Sequence, residues 1–273
     1  MSTPTAFISP INILVGGSSS GWSNATNVIL PVQAMDGRVD TVSRGVATGG
    51  DMEVELLATA TEYVRCAALI NHNIPVGEFV TFTAKNGITT VATVSRTVEA
   101  VQGNGYQNNL LAIFDDAPDL GVVADTLVVT VANADGLTID VGEFWMGGMW
   151  VPSNGINFDT ALDFIDPSLQ AFSAGGQGFT AARNLYREVE LQFPAIPESE
   201  LIETVSTGWT LRKLFGLAGA RTTVLMSPVQ SPQILMDTTA ICGLMSSRLK
   251  AMPIARDSTS RVYRASIGVR ELR

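Results

Sequence analysis

The only histidine of the chain, His72, sits in the run Asn71-His72-Asn73, and a single imidazole is enough for acid–base chemistry near neutral pH. It follows the apolar run Cys66–Ile70 directly, and no serine or cysteine nucleophile stands at a diagnostic spacing from it. The expectation is a strand-end histidine hydrogen-bonded in a turn. Gly17-Ser18-Ser19-Ser20-Gly21 matches the Gly-x-Ser-x-Gly nucleophile elbow in form. That elbow needs a helix after it to lift the serine out of a strand–helix turn. Here Trp22–Thr26 leads into another strand, and His72 comes far too early for the hydrolase order, so a flexible Ser/Gly loop is expected.

Asp159, Asp163 and Asp166 are the carboxylates that could be paired. Glycosidase carboxylates face each other across a sugar-sized gap, and calcium takes several oxygen ligands from a loop of defined spacing. This spacing fits neither, so solvated carboxylates are expected. Lys85-Asn86-Gly87 is too short for a phosphate loop, and Gly175–Gly178 lacks the lysine that should follow. Cys66 and Cys242 are too few for a disulfide framework or a zinc site. Trp22, Trp145, Trp150 and Trp209 could stack sugars, or serve as core or interface anchors. The expectation is no enzyme, no cofactor and no metal.

The composition sets the frame for these residues. Of 273 residues 46% are apolar, enough for a sizeable core, while only 16% are charged. Three lysines in a chain of net charge −9 give no electrostatic footprint for phosphates, so nucleic acid is not an expected partner. No apolar stretch reaches the roughly 18 residues of a spanning helix, and no membrane insertion is expected. Met1–Pro10 has no basic residue ahead of a hydrophobic run, so synthesis in the cytoplasm without a secretory signal is expected. Charge is uneven along the chain. Residues 1–150 carry a net −10 and residues 151–273 a net +1, with seven basic side chains in the last 26 residues. Opposite potentials fix register between surfaces, so an acidic and a basic face are expected to meet between domains or subunits. The candidate contact residues are Trp145, Trp150, Arg248, Arg256, Arg261, Arg264 and Arg270.

Short runs rich in Val, Ile, Thr and Phe, broken by Gly, Asn and Asp, fill residues 1–150 and read as a β-sandwich. Met52–Leu56 and Phe79–Thr83 alternate apolar and polar residues, the pattern of strands covered on one face only. After Gly175–Gly178, Glu188–Phe193 alternates again. A helix near 198–217 is expected, with Glu198, Glu200 and Glu203 early and Arg212 and Lys213 late, as its dipole favours. Gly208 is a point where it could break. Strands follow at Thr222–Met226, Ala240–Met245 and Arg261–Val269. The fold class is mainly β: a sandwich over residues 1–152 with an N-terminal arm, then a second β domain over 153–273 that carries one α-helix and a basic C-terminal segment.

Two stretches resemble bacteriophage tail proteins. Arg65–Ile74, an apolar strand ending in Asn71-His72-Asn73-Ile74, is similar to a signature of galactose-binding-like (jelly-roll) sandwiches in tailed-phage structural proteins. Val141–Pro152 is similar to the companion segment, with Glu143 where a basic residue is usual. From Gly175 to about Met245 the order of elements resembles the hub domain of distal tail proteins, although Ser227 replaces the acidic residue usual before Pro228. The resemblance implies a virion protein of the tail. It would be a homo-oligomeric ring of this chain, a hexamer in the usual case, at the distal tail or baseplate beside other tail proteins. The alternatives are a carbohydrate-binding module, with a host surface glycan as ligand, and a head-decoration or neck protein.

Overall fold

Alternation in the sequence becomes layering in the structure, a computed structural model that describes residues 6–99, 108–114, 121–156, 161–172, 178–183, 185–202, 210–218, 222–229, 233–246, 249–256 and 261–272. Strands β1 (Phe7–Ser9), β2 (Ser18–Ser19), β3 (Ala25–Ile29), β4 (Ser43–Ala47), β5 (Met52–Val64) and β6 (Cys66–His72) come first. They are followed by β7 (Phe79–Asn86), β8 (Thr89–Thr97), β9 (Leu110–Ile113), β10 (Val122–Val131) and β11 (Thr138–Gly147). The front sheet has the order β2-β5-β10-β7-β8 and the middle sheet β3-β4-β11-β6-β9, all antiparallel. In β5, Met52, Val54 and Leu56 point inward while Glu53 and Glu55 reach the surface; β7 buries Val80, Phe82 and Ala84 in the same way. Leu69, Leu110, Phe144 and Met146 of the middle sheet complete the sandwich core.

A third sheet contains β12 (Ala161–Ile165), β15 (Tyr186–Pro197), β16 (Thr223–Ser227), β17 (Ile241–Met245), β18 (Lys250–Arg256) and β19 (Arg261–Glu271). Its order is β1-β16-β17-β19-β15-β12, with β18 attached to β19. A small hairpin of β13 (Leu169–Phe172) and β14 (Gly178–Ala181) stands beside it. The N-terminal arm therefore belongs by pairing to the second unit: Phe7–Ser9 lies antiparallel to Leu225–Ser227. Beyond β1, the backbones of Ile8 and Trp150 exchange hydrogen bonds of 3.0 and 2.8 Å and close that edge of the sheet.

Strands β6, β9 and β11 of the middle sheet are buried on both faces. Ala67 and Leu69 of β6 face the sandwich core, while Cys66, Ala68 and Ile70 face the third sheet. There they meet Phe7, Leu225, Met236, Cys242, Leu111 and Trp145 in a shared core between the two units. A continuous apolar run is what such a doubly covered strand requires. The arm runs close along β11, where a side chain at Gly147 would lie 2.2 Å from the Ile11 carbonyl oxygen; only glycine allows that approach.

The helical content departs from expectation. Instead of one helix near 198–217 there are two short ones, α1 (Glu198–Leu201) and α2 (Leu211–Leu217). Thr210 is extended and its side-chain oxygen accepts from the Lys213 N–H at 3.2 Å, so a fresh helix starts there. Gly208 lies outside the described residues. A third helix, α3 (Gln233–Thr239), was not expected, although Ser231-Pro232 ahead of it is a helix-start signal in the sequence; Met236 pins it into the shared core. The strand expected at Arg261–Val269 is present as β19, which pairs with β15, β17 and β18 and is the strand around which the third sheet is organised.

Arg187 and Glu271 fasten this sheet to α3. Both side chains are buried, with Nη2 to Oε1 at 2.7 Å and Nε to Oε1 at 3.1 Å. Arg187 also donates to the carbonyls of Thr238 (2.6 Å) and Ala240 (3.0 Å). Arg187→Met leaves a buried carboxylate without its cation. The loss expected is about 3–5 kcal/mol, read as a lowered denaturant midpoint, and the double variant Arg187→Met/Glu271→Leu should recover part of it.

Candidate functional site

Asn71, His72 and Asn73 lie where β6 leaves the middle sheet. Asn71 has φ 54°, a left-handed conformation that asparagine tolerates well. Its N–H donates to Asn109 Oδ1 (3.2 Å), and the His72 N–H donates to the Asn108 carbonyl (3.0 Å). Asn73 clasps β11: Nδ2 donates to the Thr138 carbonyl at 3.1 Å, and Oδ1 accepts from the Asp140 N–H at 2.7 Å. His72 Nδ1 accepts from the Ile74 N–H at 3.1 Å, which puts the proton of the neutral ring on Nε2. The turn expected around His72 is thus present.

His72 also lines a recess of about 160 Å³ with Ile74, Val98, Asn108, Leu110 and Asp237. The recess straddles the two units. Asp237 Oδ1 on α3 accepts from the Leu111 N–H (2.9 Å), and Asn109 donates to the Ala240 carbonyl (2.9 Å), the same oxygen that Arg187 reaches. Polar side chains of His72, Glu99, Asn108, Asn109 and Asp237 beside aliphatic walls make a lining that can hold a small hydroxyl-bearing molecule.

Other sequence candidates go elsewhere. Ser18 and Ser19 form the short edge strand β2 against Leu57 and Leu56, and Ser20 exchanges hydrogen bonds with Glu55, so this stretch is paired backbone where a loop was expected. Ser19 and His72 stand on different sheets. Asp163 is exposed on β12, and Ser168, through its hydroxyl first and its N–H (2.9 Å) second, lowers the Asp166 pKa; Asp159 lies outside the described residues. No group of three or more His, Cys, Asp or Glu suited to a metal occurs among the described residues.

The three described tryptophans are buried, so they form no sugar-stacking platform. Trp22 donates to Ser43 Oγ (3.1 Å) and Trp145 to Ser9 Oγ (2.9 Å), the latter across the joint between the units. Trp150 stacks edge-on against Phe193 at 5.2 Å inside the second core. Of the arginines, Arg248 lies outside the described residues, and Arg256 pairs through its backbone with Arg261. Arg261, Arg264 and Arg270 are exposed on β19. Arg270 pairs with Glu188 of the adjacent strand and covers the Tyr186 ring at 4.8 Å. Its acidic partner is therefore in its own sheet. Both thiols are sealed between the units, and burial pushes Cys66 up to about 12 and Cys242 well above the ordinary value.

One buried group was noticed in the sequence only as a departure from the phage pattern. Glu143 is fully buried; Asn12 Nδ2 donates to its Oε1 at 2.8 Å, while Oε2 has no hydrogen-bond partner. Burial, helped by Asp36, raises its pKa to about 7 despite the Asn12 bond. A charged residue in the apolar run Val141–Met146 was the signal that could have found it.

No protein family and no curated protein matches this sequence. Solved structures similar to it include the lectin domain of lectinolysin complexed with Lewis B antigen (17% identity, 50% of this chain and 95% of that one, TM-score 0.39). Chitosan-binding module 1 of a Paenibacillus sp. IK-5 chitosanase/glucanase is similar at 13% identity over 50% of this chain and 99% of that one, TM-score 0.38. The family 32 module of Clostridium perfringens NanJ, in complex with galactose, is similar at 14% identity over 53% and 99%, TM-score 0.36. The mainly β class stands, and the similarity extends over about half of this chain.

Two buried groups give opposite pH dependences. Burial depresses His72 to about 4, so its contribution is present above about 6.5 and is lost as pH falls toward 4. Glu143 is raised, so the cost of ionising it appears as pH rises from about 4.5 to 7. Each is worth about 3 kcal/mol at full extent. Between pH 4.5 and 6.5 the slopes oppose, and wild-type stability should be nearly flat there. Glu143→Gln should expose a stability that rises with pH, and His72→Gln one that falls, both measured by urea unfolding.

Proposed function

We propose that this chain is a non-catalytic structural part of a larger assembly, in finer terms the virion tail protein that its two motifs resemble. The observation that carries the reading is where its apolar side chains lie. Residues of the two motifs are spent inside the chain, joining one β unit to the other. Exposed apolar side chains, by contrast, stand on hairpins and outer strands: Ile88, Phe164, Leu169, Met252 and Ile254. Such positions suit docking to other chains. With β1 sealed by Trp150, β12 and β18 each have one strand partner among the described residues and leave edges of the third sheet open. On this reading the partners are copies of itself and other tail proteins, and the place is the virion.

A second reading, carbohydrate binding, is favoured by the His72 recess. It is also the kind of ligand named for the lectin and galactose-bound modules above. Sedimentation velocity over a concentration series, run beside a glycan array on the same purified chain, separates the two. The expected result is self-association with no selective sugar retention. Selective retention of a defined sugar by a chain that sediments as a monomer at every concentration would reverse the order.

A further inference from the structure

We infer that the tip of the β7–β8 hairpin docks into the groove beside β18 of a second copy of this chain. The contact rests on the assembly reading and names its surfaces. Ile88 is 100% exposed. Nothing about the turn asks for it, since Gly87 (φ 57°) supplies the left-handed position. The tip is also held in place, because the Gly87 N–H donates to both carboxylate oxygens of Asp125 at 3.0 and 3.2 Å. A fixed apolar knob loses little freedom on docking.

The matching surface is a groove of about 390 Å³ between β15, β19 and β18. Leu249, Ala251, Met252 and Ala265 give it apolar walls, with Glu190 and Arg264 at its rim. Met252 is 62% exposed. Asp125 of β10 holds a carboxylate against the hairpin tip, and the groove offers the exposed Arg264 guanidinium beside Glu190, so an unlike charge stands near the apolar surface on each side. The net −10 of residues 1–150 against +1 for the rest favours the same pairing of unlike surfaces. Since the hairpin tip and the groove are different surfaces of the chain, the contact joins different patches on successive copies. Contacts of that kind propagate head to tail, closing into a ring or running on as a filament.

The test uses full-length Ile88→Asp and Met252→Asp, both at exposed positions, followed by sedimentation velocity and mass photometry. Each variant alone should weaken self-association at least about tenfold. Mixed, they should form a one-to-one dimer and nothing larger, because the mixture retains one intact knob and one intact groove. Wild type that associates while both variants associate equally well overturns this contact and leaves the assembly reading standing. A wild-type chain that stays monomeric throughout overturns both the contact and the ring form of that reading. Larger species in the mixture overturn the knob-and-groove geometry.

Discussion

Burial of β6, β9 and β11 on both faces is the constraint from which the rest of this structure follows. A sheet with one wet face needs only a partner sheet; β6, β9 and β11 need two. Apolar side chains on both sides of the strand remove the option of separating the units, since parting them would expose Cys66, Ala68, Ile70, Leu111 and Trp145 to water. The two β units therefore share an apolar core at this joint, unlike domains that are strung on a linker and touch through polar surfaces.

Polar groups trapped by that joint are satisfied with care. The Ala240 carbonyl receives Asn109 from one unit and Arg187 from the other, while Asp237 reaches across to the Leu111 backbone. Directional bonds of this kind add little net energy but a large penalty for misalignment, so they set the register of the two units. Glu143 is an exception, with one carboxylate oxygen left without a hydrogen-bond partner. The apolar core supplies the holding force and the polar bonds choose the geometry.

Much of this was legible in the sequence, for physical reasons that vary by element. Met52–Leu56 and Phe79–Thr83 showed their inward faces because each strand has one wet side. The uninterrupted run Cys66–Ile70 carried the double burial openly, though its second cover could not be named from local pattern. The Asn71-His72-Asn73 turn was placed correctly at a strand end. Helix content was harder: α1 and α2 are only four and seven residues long, too short for periodicity to establish, and α3 is stabilised by packing from residues far away in sequence. The Arg187–Glu271 pair joins positions 84 residues apart, a separation at which no spacing rule operates. Ser18–Ser19 misled because glycine and serine suggest flexibility, whereas backbone pairing at a sheet edge makes no demand on side chains.

The short first strand has a consequence for how the protein is made. Phe7–Ser9 is synthesised more than two hundred positions ahead of its partner Leu225–Ser227. The sandwich can collapse while translation continues, but this strand must wait beside it until the distal half has emerged. Its insertion is then a late step of maturation, and the time spent unpaired is when a nascent chain is most open to capture by chaperones or by a neighbouring nascent copy.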